Sequence, residues 1–294
     1  MEVLELIITP MKLSIIATKL FPELPGFSGI EYHDQKLYVI SDSTSVVYVF
    51  DTRDFMQVNA INLTEDGFNI VPKFNKSDLE SISFLDDSAE QLLILGSGSK
   101  AHKRDIGYLV NIHNESNIAL DLYPFYETLA AIPSIGGRAF LNIESLHLQG
   151  NNLYLGQRGN TNDSNGFIIV NKNNFLHKIK NKEVPDFRFK AAQLPKLDSK
   201  LGGISGATYE DKKLYLVATY EETDNTYDDG LILGSKLLIM NKNLKASVIL
   251  DFPASMDGNF MKIESICIGP KNELFAVADQ DEQGSCLLKL MITD

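Results

Sequence analysis

Three glutamates, Glu80, Glu144 and Glu264, hold the same place in a short phrase that recurs along the chain. Carboxylates brought together this way can bind a hard cation or move a proton. The phrase reads Phe27-Ser28-Gly29-Ile30, Leu79-Glu80-Ser81-Ile82, Ile143-Glu144-Ser145-Leu146, Ile204-Ser205-Gly206-Ala207 and Ile263-Glu264-Ser265-Ile266. Ser28 and Ser205 replace the glutamate in two copies, so the set is asymmetric. The interval is about sixty residues, and a fixed period of that size marks a repeat architecture.

The elements that position these residues can be read in the same register. Each phrase opens a first strand, and a second follows at Leu37-Tyr38-Val39-Ile40, Leu92-Leu93-Ile94-Leu95, Leu153-Tyr154-Leu155, Leu214-Tyr215-Leu216-Val217 and Leu274-Phe275-Ala276-Val277. Asn, Asp, Gly and Pro clusters lie between them, as hairpins require. Third strands run through Val46–Phe50, Gly107–Val110, Gly166–Val170, Lys236–Met240 and Cys286–Leu290, and four of them end at Asp51, Asn111, Asn171 and Asn241. Fourth strands are Val58–Ile61, Ala119–Leu122, Phe187–Lys190 and Ser247–Leu250. The fifth repeat runs out before its fourth strand, and Leu13–Ala17 at the other end supplies one. This predicts an all-β fold: a β-propeller of five four-stranded blades in a single domain over residues 1–294, closed by the N-terminal strand. A six-bladed alternative needs a blade hidden in the long connections Tyr123–Arg138 or Leu194–Gly202.

In a propeller the innermost strands line the channel, so Ser28, Glu80, Glu144, Ser205 and Glu264 are expected in a ring at one mouth. Three converging carboxylates repel unless a cation or hydrogen-bond donors offset them. The ring is therefore either a site, with Glu80, Glu144 and Glu264 as hard oxygen ligands, or a set of stitches to the backbone of the next blade. The second strands return to the same face. There they bring Asp42, Asp279, Asp281 and Glu221, and one cation, Arg158, able to pair with the ring or to hold an anionic substrate. Ser28 and Ser205 are candidate substrate contacts in the ring. Lys100, in the basic loop Lys100-Ala101-His102-Lys103-Arg104, is a third, or else a solvated loop residue.

Ser28-Gly29-Ile30 followed by Tyr38-Val39-Ile40-Ser41-Asp42 resembles the opening repeat of the phytase-like (esterase-like phytase) propellers. Asp78-Leu79-Glu80-Ser81-Ile82 and Asn142-Ile143-Glu144-Ser145-Leu146 resemble the later Glu-Gly or Glu-Ser repeats of that family, which recur in gluconolactonase-like and SdiA-regulated-like propellers. The resemblance implies a divalent cation, calcium first, held by Glu80, Glu144 or Glu264 with Asp42 or Asp279. It also implies hydrolysis of a phosphate ester or lactone at the channel mouth. The chain departs from that family in lacking an export signal and a compact basic pocket.

Composition limits the alternatives. A net charge of −12 argues against nucleic acid, whose phosphates need clustered Lys and Arg. The apolar run at residues 3–8 is too short to span a membrane and lacks the marks of a signal peptide, so a cytoplasmic protein is expected. Cys267 and Cys286 are expected as free thiols. Five histidines show no metal spacing, and His147 is expected to be packed and hydrogen-bonded between blades. Gly203–Ala207 lacks the last glycine of a nucleophile elbow, and Gly96–Lys100 is not a P-loop. Two readings of function stand: a cation-dependent hydrolase with Glu144 as general base and Arg158 orienting a small anionic substrate, or a non-catalytic propeller that recruits a protein partner.

Overall fold

Each repeat folds into one antiparallel four-stranded sheet, because its apolar runs are buried on both faces and its turns carry residues suited to tight reversal. The computed structural model describes residues 11–24, 26–222, 230–254, 258–280 and 283–293. The chain enters through β1 (Lys12–Phe21). Blade one is β2 (Phe27–His33), β3 (Lys36–Ser41), β4 (Val46–Asp51) and β5 (Gln57–Asn62). Blade two is β6 (Leu79–Phe84), β7 (Gln91–Gly96), β8 (Ile106–Asn111) and β9 (Ser116–Asp121). Blade three is β10 (Ile143–Gln149), β11 (Asn152–Gln157), β12 (Gly166–Asn171) and β13 (Phe187–Ala191). Blade four is β14 (Gly202–Glu210), β15 (Lys213–Glu222), β16 (Leu231–Met240) and β17 (Ala246–Asp251). Blade five is β18 (Lys262–Ile268), β19 (Leu274–Asp279) and β20 (Ser285–Thr293), with β1 paired to β20 as its outer strand. The count is five, and the long connections hide no sixth blade.

Strand alternation builds the core. Val39 faces blade five, with Cys267 and Phe275, while its neighbour Ile40 faces blade two, with Ile82 and Ile94. The same division in every blade gives five apolar clusters, one per blade interface. The inner strands contact one another in sequence around the axis. The small residue of the repeated phrase follows from this approach. A Cβ on Gly206 would lie 2.7 Å from the Ser265 Cα, and one on Gly29 would lie 2.9 Å from the Ile82 side chain.

The four third-strand anchors share one device. The side-chain oxygens of Asp51, Asn111, Asn171 and Asn241 each accept from the backbone N–H two residues on, at 2.8–3.1 Å. At Asn171 the same bond caps a helix, α2 (Lys172–Lys180), whose Phe175 and Ile179 are buried at helical spacing. A second helix (Tyr123–Ala130), which precedes α2 in the chain and is called α1, occupies the connection after blade two. It buries Phe125, Tyr126 and Leu129 over the interface of blades two and three. Among the described residues no helix is long and apolar enough to cross a membrane. The apolar run at residues 3–8 and Asp281 lie outside the described residues. Both cysteines are free and buried.

Candidate functional site

The register of every inner hairpin slips once, and the extra residue is Ser28, Glu80, Glu144, Ser205 or Glu264. A β-bulge re-aims one side chain out of the alternation. The repeated phrase is thus a repeated bulge at the start of each inner strand. It sets these five residues at one mouth of the channel.

The two serines and the three glutamates then diverge. The Ser28 hydroxyl donates to the Leu79 carbonyl of the next blade at 2.5 Å, and the Ser205 hydroxyl donates to the Ile263 carbonyl at 2.7 Å. Both hydroxyls act as interblade stitches. The glutamates enter charge networks instead. Two residues before each glutamate stands a polar side chain, Asp78, Asn142 or Lys262, whereas Gly26 and Gly203 stand two before the serines. Those glycines leave room for charged groups. A Cβ on Gly26, where φ is +69°, would meet the Asp42 carboxylate, and one on Gly203 would lie 2.6 Å from the Arg158 Cγ. Gly203→Ala should therefore push Arg158 out of register and lower stability by about 1–3 kcal/mol, the usual range for overpacking. Thermal unfolding of the variant checks this.

On one side of the mouth, carboxylate oxygens of Asp42, Asp78 and Glu80 lie within 4.8 Å of one another. Lys76 pairs with Asp42 and, at 3.2 Å, with Asp78. Asp78 also receives Arg104 at 2.6 Å and the Ser97 hydroxyl. On the other side Arg158, 6% exposed, reaches Glu221 at 2.7 Å and Glu144 at 3.5 Å. The Asn142 amide donates to the second Glu144 oxygen at 2.5 Å. Lys262 closes the network at 3.0 Å from Glu264 and 3.6 Å from Glu221. Asp279 is half-buried at the end of β19, opposite Lys262 in the strand register. Lys100 stands apart: its ammonium lies 3.4 Å from the Phe74 carbonyl and 4.8 Å from that ring's centroid.

These surroundings raise the carboxyls of the ring above the ordinary glutamate range. Burial pushes the Glu80 carboxyl well above the ordinary range, and the charges of Glu144, Asp78 and Asp42 add to it, against Lys76. Burial pushes Glu144 up to about 7, and Arg158 moderates the rise. Glu264 is also raised by burial, with Lys262 and Arg158 opposing. The Glu144 charge is thus one of the causes that raise Glu80, and Glu144 itself is raised to about 7. Such a pair can supply an acid and a base together.

Calcium takes six to eight oxygens. The Asp42–Asp78–Glu80 trio offers hard carboxylate oxygens, but the Lys76 ammonium already pairs with two of the three, and Arg104 with one of those. A divalent ion would have to displace Lys76, so the trio as it stands does not fit a resident calcium. The recurring phrase revealed Glu80, Glu144 and Glu264. Arg104 belongs to the basic loop in which Lys100 is the expected contact, whereas Lys76 and Lys262 are not among the expected residues; the signal for Lys262 is its place two before Glu264.

His147 corrects one expectation. It is buried and stacked on Tyr154, with ring centroids 5.0 Å apart, but neither ring nitrogen has a hydrogen-bond partner among the described residues.

The fold has solved relatives. A glutaminyl cyclase of Myxococcus xanthus superposes with a TM-score of 0.56 at 11% identity, covering 97% of this chain and 100% of that one. The Neurospora crassa Pan2 WD40 domain gives a TM-score of 0.46 at 10% identity, over 95% of this chain and 94% of that one. Comparison with curated proteins gives no match. Residues 23–292 match the Family of unknown function (DUF6929), and the chain belongs to that family.

Proposed function

We propose that the acidic channel mouth is a hydrolytic site that opens an uncharged acyl bond, a lactone or carboxylic ester, by general acid–base catalysis. What carries this reading is the repeated bulge that sets Glu80 and Glu144 at one mouth of the channel, where burial raises both carboxyls, Glu144 to about 7. Glu144 takes a proton from water as its oxygen adds to the carbonyl carbon. Glu80 gives its proton to the leaving oxygen as the C–O bond breaks. A proton returning from Glu144 to Glu80 resets the pair, and one water is consumed. Arg158 is a positioning residue, because both its ion pairs are to protein carboxylates. Ion pairing bears on the substrate class: Lys76, Arg104, Arg158 and Lys262 are each already paired with a protein carboxylate, so a phosphate ester would have to compete for them where a lactone would not.

A second reading keeps the divalent cation. The proximity of Asp42, Asp78 and Glu80 favours it, with the ion in place of the Lys76 ammonium. Thermal unfolding with added calcium separates the two. A Lys76→Met variant, which removes the internal competitor, should bind calcium more tightly than the native chain if the trio is an ion site. An unchanged melting temperature in both proteins removes that reading.

The functional test is turnover of a panel of lactones and carboxylic esters, with phosphate esters and a glutaminyl peptide for comparison. Cyclisation of an N-terminal glutaminyl residue also moves one proton off the attacking group and one onto the leaving group. Turnover of lactones or esters that is lost in Glu80→Gln and Glu144→Gln supports the reading. No turnover of any substrate sinks it and favours a propeller that binds a partner.

A further inference from the structure

All five inner strands run away from the acidic mouth, so their later residues line the opposite end of the channel. At about 3.3 Å per residue, the two ends of each strand's channel face lie roughly 10 Å apart. A cavity of about 500 Å³ opens at that far mouth. β2 brings Glu31 to it, β6 brings Phe84, β10 brings His147, and β14 brings Tyr209 and Glu210. Among the described residues that line it there is no Lys or Arg. The acidic mouth is threaded by four cations, whereas here Glu31 and Glu210 line one cavity and the charge of Glu210 acts on Glu31.

The second observation is His147. It is 2% exposed and lines the cavity, stacked between Tyr154 and Tyr209 with interplanar angles of 15° and 13°. Neither Nδ1 nor Nε2 has a hydrogen-bond partner among the described residues. Buried polar atoms are nearly always satisfied, and an unsatisfied one beside a cavity points to something that fills it. Ring stacking fixes the imidazole, and burial drives its pKa down to about 3, so a ring nitrogen stays an acceptor at neutral pH.

We propose that this far mouth is a second binding site, for a small organic cation carrying a protonated primary amine. Glu31 and Glu210 offset the charge of the ligand, an unpaired His147 nitrogen accepts one of its N–H groups, and the aromatic rings of Phe84 and Tyr209 line the same cavity. The volume is in the range of small-molecule sites.

Proton linkage gives the site a signature. Burial pushes Glu31 up to about 8; Glu210 adds to the rise, and the Tyr32 backbone and Ser83 hydroxyl oppose it. The titratable groups around it are Tyr32 and His33 on its own strand, Asp86 and Asp87 after β6, His147 on β10, Tyr209 and Glu210 on β14, and Cys267 on β18. A bound ammonium favours the ionised carboxylate, so binding releases a proton. Affinity should fall about tenfold for each pH unit below about 8.

The test is calorimetric titration of the full chain with 1,4-diaminobutane, tetramethylammonium and calcium, near pH 6 and near pH 8.5. One saturable site for the diamine is expected, at least about tenfold tighter at the higher pH. Binding should be weaker for tetramethylammonium, which has no N–H. Glu31→Gln keeps the shape of the side chain and should weaken diamine binding at least about tenfold. His147→Phe keeps the stack and should weaken it without changing its pH dependence. Hydrolysis at the acidic mouth should be unaltered in Glu31→Gln. No saturable heat with millimolar diamine, binding indifferent to Glu31→Gln, or calcium binding there more tightly than the diamine would overturn the proposal.

Discussion

Arg158→Met should lose about 3–5 kcal/mol of stability at neutral pH, the range for removing one partner of a buried ion pair. The guanidinium is buried, threads past Gly203, and spans Glu144 on one blade and Glu221 on the next. Without it two buried carboxylates face each other with Lys262 as the nearest remaining cation. Those carboxyls would take up protons in the folded state at higher pH than in the unfolded chain. Folding then gains protons, and stability recovers as pH falls. Urea unfolding should show the full loss near pH 7.5 and a much smaller one near pH 4.5, where unfolded glutamates also begin to protonate. An equal loss at both values would mean that Arg158 serves only to fill space.

Glu144→Gln should reduce turnover by about 10²- to 10⁴-fold, the usual contribution of a positioned acid or base, while leaving the fold intact. The amide is isosteric, and Asn142 can still hydrogen-bond to its oxygen. The acidic limb of the native pH–rate profile should lie near 7, where Glu144 titrates, and should vanish in the residual activity of the variant. The same shift acts on stability. Glu144 is raised from 4.5 to about 7 on folding, so the folded state binds more protons in that window. Stability therefore falls as pH rises through it, and Glu144→Gln should flatten that fall. An unchanged pH–rate profile would place the general base elsewhere.

What could be read from the sequence was whatever the repeat copies. Glu80, Glu144 and Glu264 stood out because the bulge that re-aims them recurs in every blade, and Asp51, Asn111, Asn171 and Asn241 because one turn bond recurs. The repeat does not encode what differs between blades. Lys76, Arg104 and Lys262 come from different segments, each used once, and meet only when the ring closes. Ser28 and Ser205 show how position alone misleads. They occupy the glutamate place, yet a hydroxyl is short enough to reach the next backbone carbonyl and stop there. The helix α2 stayed hidden because Asn171 starts it with the same side-chain bond that elsewhere makes a plain turn. His147 was legible as a packed residue from its alternation with Leu146 and Leu148. Its unpaired nitrogens were not, because they depend on what the other four blades fail to place beside it.

The central claim is that the acidic mouth holds a carboxyl that ionises near neutrality beside one raised well above the ordinary glutamate range. Carbon-13 NMR titration of the glutamate side-chain carboxyls, in the native chain and in Glu144→Gln, tests it directly. The account predicts a carboxyl titrating near 7 that disappears in the variant, with the Glu80 titration displaced well above the ordinary glutamate range. If every ring carboxyl is ionised by pH 5, near the ordinary glutamate range, the mouth is a set of salt-bridged stitches and the acid–base account is wrong.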